Sequence, residues 1–269
     1  MSQDNEQQLD ERFNPFKSRT NKYTNLRHTI AIVSGKGGVG KSTVTSLLAN
    51  ALNRQGLNIG ILDADITGPS IGHAFAIHSK ASGSDLGIIP ANSSMGIKIV
   101  STNMLLDNDD TPVLWRGPMI ANAVKEFYTG VLWGDLDYLL IDMPPGTGDV
   151  ALTVYQSIPI DGIVVVTTPQ DMVSMIVSKA IKMAEQMNVP VLGIVENMSY
   201  MVCDHCENKL YPFGKGNVEE LAELHHVEVL GQIPINPSVN QEMDAGRIEV
   251  IESSEMDALA TRIQFKVNA

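Results

Sequence analysis

The chain has 269 residues, 43% of them hydrophobic and 19% charged, a composition that suits one large α/β domain with an ample core. Its formal net charge of −12 sets nucleic acid aside as a main partner, because counterion release needs a basic face. No apolar run approaches the roughly 20 residues that span a membrane, and the opening MSQDNEQQLDERFNPF lacks the basic-then-apolar order of a signal peptide. The expectation is a cytoplasmic protein that binds neither membrane nor nucleic acid.

In chain order, residues 1–25 are expected to form a mobile arm and 26–269 the folded domain. Thr29 to Ser34 reads as the first strand, its run Ile30-Ala31-Ile32-Val33 apolar on both faces. It leads into Gly35-Lys36-Gly37-Gly38-Val39-Gly40-Lys41-Ser42-Thr43, a GxxxxGK[ST] phosphate loop. Such a loop brings backbone N–H groups close to phosphate oxygens, while the lysine adds charge and the hydroxyl a magnesium ligand. Val44, Leu47, Leu48, Ala51 and Leu52 then follow helical spacing, with Gly56 as the stop. Phosphate would thus sit at a helix N-terminus, where unpaired N–H groups favour negative charge.

Further strands are expected at Asn58 to Asp63, Gly96 to Ser101, Tyr138 to Asp142, Gly162 to Thr167, Val191 to Glu196 and Val227 to Gly231. Between them Pro118 to Tyr128, Asp149 to Gln156, Asp171 to Asn188 and Val218 to His225 read as helices, and Ser79 to Ser94 as a loop. This alternation predicts a single-domain α/β fold of the phosphate-loop NTPase kind, a mostly parallel sheet flanked by helices on both faces. Met172, Met175, Met183 and Met187 follow helical spacing and are expected to fill core. Ser254 to Val267 is expected to be a helix packed on the domain, its charge too balanced for a lipid-binding helix.

In open parallel sheets ligands bind beyond the carboxyl ends of the strands, so the polar residues that end apolar runs carry the chemistry. Asp142 closes one such run and is the expected second magnesium anchor beside Ser42. Asp65 is the candidate that orients or deprotonates the water attacking a γ-phosphate, and Asp63 supports the magnesium shell. Lys36 is a surplus for a nucleotide held by one chain, which points to a dimer. Cys203-Asp204-His205-Cys206 contains both cysteines of the chain. Alone, a CxxC fits a redox disulfide, half of a metal site, unreactive thiols or coincidence. Its flanks read as a loop or small hairpin, about residues 197–214, which favours metal, and two thiolates leave a tetrahedral four-thiolate set for a second chain to complete.

The stretches SGKGGVGKST, LDADITGPSI, VLWRGPM, DYLLIDMPPGTGD, VENMSYMVCDHC, YPFGKG and LGQIPINPSV together resemble the Mrp/ApbC-type iron–sulfur cluster carriers, deviant-Walker ATPases akin to MinD and ParA. The resemblance covers nearly the whole chain. It implies an ATP-hydrolysing homodimer that bridges a 4Fe-4S cluster on paired Cys203 and Cys206 and passes it to apo-proteins. It further implies that Lys36 reaches the partner's nucleotide, that Lys41 and Ser42 serve phosphate and magnesium, that Asp65 lies in switch I, and that Asn197 holds adenine. Trp115 and Arg116 lie in a family signature without a derived role. The chain departs from some relatives in lacking an additional N-terminal domain or cysteine set, so only the bridging cluster is expected. His205 is read as pointing away from the metal, and His28, His73, His78, His225 and His226 as structural or surface residues. Two other readings are a positioning ATPase of the MinD/ParA kind and a dimer stapled by structural zinc.

Overall fold

The computed structural model describes residues 17–65, 70–78, 80, 82–101, 104, 117–170, 173–203 and 205–268. The first half of the chain forms β1 (Thr24–Ser34), α1 (Lys41–Arg54), β2 (Ile59–Asp63), α2 (Ile71–Ala74), β3 (Ser82–Ser84), β4 (Gly87–Ile89), β5 (Ala91–Asn92), β6 (Lys98–Ser101), α3 (Gly117–Gly130) and β7 (Gly134–Asp142). The second half forms α4 (Asp149–Ser157), β8 (Gly162–Thr167), α5 (Val173–Gln186), β9 (Val191–Glu196), β10 (Met201–Val202), β11 (Lys209–Leu210), α6 (Val218–Leu224), β12 (Val229–Gln232), α7 (Pro237–Asp244) and α8 (Ser254–Val267).

Among the described residues, eight strands make one sheet in the order β12-β9-β8-β1-β7-β2-β6-β5, parallel throughout except for the edge pair β5 and β6. Successive side chains of a strand face opposite ways, so a strand covered on both sides must be apolar at every position. In β1, Ile30 and Ile32 join a core with Val44, Leu48, Leu259 and Ile263 of α1 and α8. Ala31 and Val33 join a second core with Phe127, Val154, Val177 and Leu221 of α3, α4, α5 and α6. The central strand is thereby buried by both layers, and its carboxyl end is held in a fixed position for the loop that follows. Ser253 caps α8, accepting from the Met256 N–H, and Met256, Leu259 and Ile263 bury its inner face as expected. Among the described residues, no helix is long and apolar enough to cross a membrane.

Several expectations need correction. Residues 17–25, assigned to the arm, are tied to the domain: Lys17 Nζ donates to the Ile158 carbonyl at 2.9 Å, Ser18 N–H to the Ser157 carbonyl at 2.6 Å, and Asn21 Nδ2 to the Val131 carbonyl at 2.6 Å. Strand β1 already begins at Thr24, paired with Gly134, its polar start hidden because Asn25 and Arg27 face solvent. The segment Ser79 to Ser94, read as a loop, contains the antiparallel β3–β4 hairpin and the edge strand β5. Helix α7 was not anticipated because it buries no residue, although Asn236 at its N-cap accepting from Ser238 N–H, with Pro237 next, is a start signal. Met183 and Met187 pack against the core, whereas Met175 is 63% exposed and fills none of it; Met172 lies outside the described residues.

Candidate functional site

The carboxyl ends of β1, β2 and β7 lie side by side, with Asp63 opposite Asp142 in register. Out of β1 comes the loop 35–43, and α1 begins at Lys41. Gly38 and Gly40 hold φ of +78° and +77°, the left-handed region where a Cβ is strained. Gly40 also has no room for a side chain, because a Cβ there would collide with Asn197 Nδ2. Asn197 in turn donates to the Val39 carbonyl at 2.9 Å, so the residue after β9 is pinned to the phosphate loop. A cleft of about 410 Å³, lined by residues 36–43 with Ser34, Asp65, Ser70, Pro145 and Met243, opens over the first turn of α1, within the size range of a small-molecule site.

Lys41, nearly buried, turns its ammonium into a ring of acids. Its Nζ stands 2.8 Å from Asp142 Oδ2 and 3.6 Å from Asp65 Oδ2. Asp142 is fully buried and accepts from Ser42 Oγ at 2.6 Å and from Thr45 Oγ1 at 2.8 Å. Asp63 accepts from the Asp65 N–H at 3.1 Å and from Ser101 Oγ at 3.0 Å. Burial first, and the neighbouring Asp142 second, push the Asp63 carboxyl up to about 8. Through its two hydrogen bonds Asp63 braces Asp65 and β6.

Ser42 Oγ and Asp142 Oδ2 together present a hydroxyl and a carboxylate oxygen beside the cleft. These are the hard oxygen donors that magnesium takes, with phosphate and water completing its octahedron, and the residues fit that ion. Lys36 leaves the cleft's edge and donates to Gln170 Oε1 of its own chain. The structure thus gathers Ser42, Lys41, Asp65, Asp142, Asn197 and the loop glycines into one place. Thr45, Gln170 and Met243, whose Sδ accepts from Thr43 Oγ1 at 3.4 Å, also belong to it and were not foreseen. Thr45 carried a signal, lying one helical turn after Lys41. Met243 carried none, since α7 showed no apolar periodicity.

The cysteines stand apart from the cleft. Strands β10 and β11 form a two-residue antiparallel ladder, the small hairpin expected of the flanks. Its turn is closed by Cys203 N–H to the Asn208 carbonyl at 3.0 Å and Glu207 N–H to the Cys203 carbonyl at 2.9 Å. Lys209 Nζ lies 3.8 Å over the Tyr200 ring and stiffens the base. Cys203 is half-buried, Cys206 is exposed and no disulfide joins them. His205 is exposed between them in the sequence, and Val202, Leu210, Tyr211 and Phe213 along the same segment are also exposed. Trp115 and Arg116 lie outside the described residues.

A glycine loop between a central parallel strand and a helix, with a lysine, a hydroxyl and a strand-end aspartate around it, defines a P-loop NTPase. Within that class the chain belongs to the ParA-type family described as NUBPL iron-transfer P-loop NTPase, which it matches over residues 25–267. It is 46% identical over 243 residues to an iron–sulfur cluster carrier protein of Clostridium perfringens, covering 87% of this chain and 85% of that one. A protein of the same name from Methanocaldococcus jannaschii is 46% identical over 248 residues, 90% of this chain and 86% of its own. Among solved structures, a nucleotide-binding protein of Archaeoglobus fulgidus in complex with ADP superposes with a TM-score of 0.77 at 46% identity, over 86% of this chain and 90% of that chain. The cell division ATPase MinD of Pyrococcus furiosus gives 0.66 at 20% identity over 89% and 99%, which shows a shared fold alone.

Proposed function

We propose that this chain is a cytoplasmic, ATP-hydrolysing iron–sulfur cluster carrier that works as a homodimer and hands a 4Fe-4S cluster to apo-proteins. One observation carries the reading: the cysteine hairpin grows from β9 immediately after Asn197, whose side chain is bonded to the phosphate loop. Nucleotide site and thiols are therefore successive stations on one short length of backbone. The relatives named as cluster carriers and the ADP-bound neighbour support both halves of this assignment.

In this reading the N–H groups of residues 35–43 and Lys41 bind the phosphates, and Asn197 abuts the base. Ser42 and Asp142 would hold magnesium, which supplies charge neutralisation at the β- and γ-phosphates. Asp65, beside Lys41 at the cleft mouth, orients the attacking water. Lys36 exchanges its Gln170 partner for the nucleotide of a second chain, where its charge stabilises the transition state. Cys203 and Cys206 contribute two thiolates, and the same pair of the other copy completes the four that the cargo needs. The test is transfer: protein reconstituted anaerobically with iron and sulfide is mixed with an apo-ferredoxin, and the acceptor's holo spectrum is followed. Transfer that requires both cysteines bears the proposal out; an acceptor that stays apo while the carrier keeps its cluster contradicts it.

A further inference from the structure

The hairpin that carries the cysteines has two roots, and one buried carboxylate touches both. Glu196, the last residue of β9, is 1% exposed. Its Oε2 accepts from Ser199 Oγ at 2.6 Å on the entry root and from Gln232 Nε2 of β12 at 3.1 Å. Its Oε1 lies against Gly216 on the exit root, so close that a Cβ at 216 would strike it. Neither the phosphate chemistry nor the thiol chemistry described above uses this carboxylate. Burial holds it above the ordinary carboxylate range, with Glu219 adding to the effect.

Two routes connect this joint to the nucleotide cleft. By the first, Glu196 is followed by Asn197, which is held by its N–H to the Thr167 carbonyl at 2.8 Å and by its side chain to the Val39 carbonyl of the phosphate loop. By the second, the face of Gly216 that meets Glu196 also meets the Cα of Pro169, 3.2 Å from where a Cβ would stand. Pro169 precedes Gln170, the residue that accepts Lys36. The seat of Lys36 thus lies one residue from the strand-end segment packed on the hairpin's exit root.

We propose that Glu196 is a positioning residue that couples the phosphate loop to the cysteine hairpin, clamping the hairpin's two roots through Ser199 and Gly216. This inference rests on the carrier function proposed above, for which it supplies the transmission. The bistable element is Lys36, seated on its own Gln170 or on a partner's nucleotide, and the clamp converts that choice into a change at residues 199–216.

The test reads the hairpin directly in the full, cluster-free chain, by amide hydrogen exchange with and without a non-hydrolysable ATP analogue and magnesium. Wild-type protein is expected to change its exchange over residues 199–216 by about fivefold or more on nucleotide binding, the size of an ordinary coupling between sites. Glu196→Gln keeps an oxygen for Ser199 and should retain that response. Glu196→Ala should lose it while binding nucleotide within about threefold of wild type, since no phosphate contact is removed. Should the alanine variant fold poorly, Ser199→Ala removes one clamp bond with far less volume and is expected to weaken the response in the same direction. A full response in folded Glu196→Ala or in Ser199→Ala, or no response in wild type, would overturn the proposal. A wild-type response in a chain whose cysteines hold no cluster would remove the carrier function and leave the coupling standing. A cluster held by a chain without the response would do the reverse.

Discussion

The phosphate loop and the cysteine hairpin are built on opposite plans. The loop sits at the end of a central strand whose last seven residues are buried, and Lys41, Ser42 and Thr45 already satisfy Asp142 within 2.8 Å. The hairpin has two residues per strand, an exposed Cys206 and apolar side chains turned to solvent. Preorganised donors suit a ligand whose developing charge must be met without delay. One half-buried and one exposed thiol on a small hairpin suit cargo that must arrive and leave. The difference teaches that one chain braces its own nucleotide cleft, whereas its two thiols stand open and, under the proposed function, are completed by a second chain.

The largest expected effects separate the two regions. Cys203→Ser or Cys206→Ser should abolish cluster binding, read as iron and sulfide per chain, while nucleotide affinity changes less than about twofold because no cleft contact is lost. Lys41→Ala should weaken ATP binding by about 30-fold or more, the worth of charge-assisted hydrogen bonds to phosphate, as measured by calorimetry. Equal loss of cluster in the Lys41 variant, with no nucleotide present, would break the separation. Lys36→Ala should leave binding within about threefold yet slow hydrolysis by about 100-fold, as expected for a charge aimed at the transition state. Undiminished hydrolysis would confine Lys36 to its Gln170 contact.

The smallest effect concerns pH. The folded Glu196 carboxyl keeps its proton to a higher pH than it does in the unfolded chain. Its contribution to stability is therefore present at low pH and is lost as pH rises above the ordinary carboxylate range towards the folded value. Glu196→Gln should remove that loss, so the variant's melting temperature gains on wild type as pH rises through the mildly acid range, by at most about 3 °C per pH unit. A constant difference across that range would mean that the carboxylate is not held protonated.

Legibility from sequence followed burial. Strands β8 and β9 coincide with the expected Gly162 to Thr167 and Val191 to Glu196, because strands covered on both faces write themselves as unbroken apolar runs. The start of β1, the β3–β5 segment and α7 were missed, since each is polar or half-exposed and leaves no periodic trace. Within the site, Lys41, Ser42, Asp142 and the two cysteines were legible as local motifs. Gln170 and Glu196 were not, because Lys36 lies in the loop after β1, and Gly216 and Gln232 lie well along the chain from Glu196, brought near by the pairing of β1 with β8 and of β9 with β12.

Anaerobic reconstitution followed by native mass measurement tests the account most directly. Two chains with four iron and four sulfide atoms between them, reduced to bare chains by either cysteine substitution, is the predicted result. A single chain carrying its own metal, or a cluster that survives both substitutions, would contradict it.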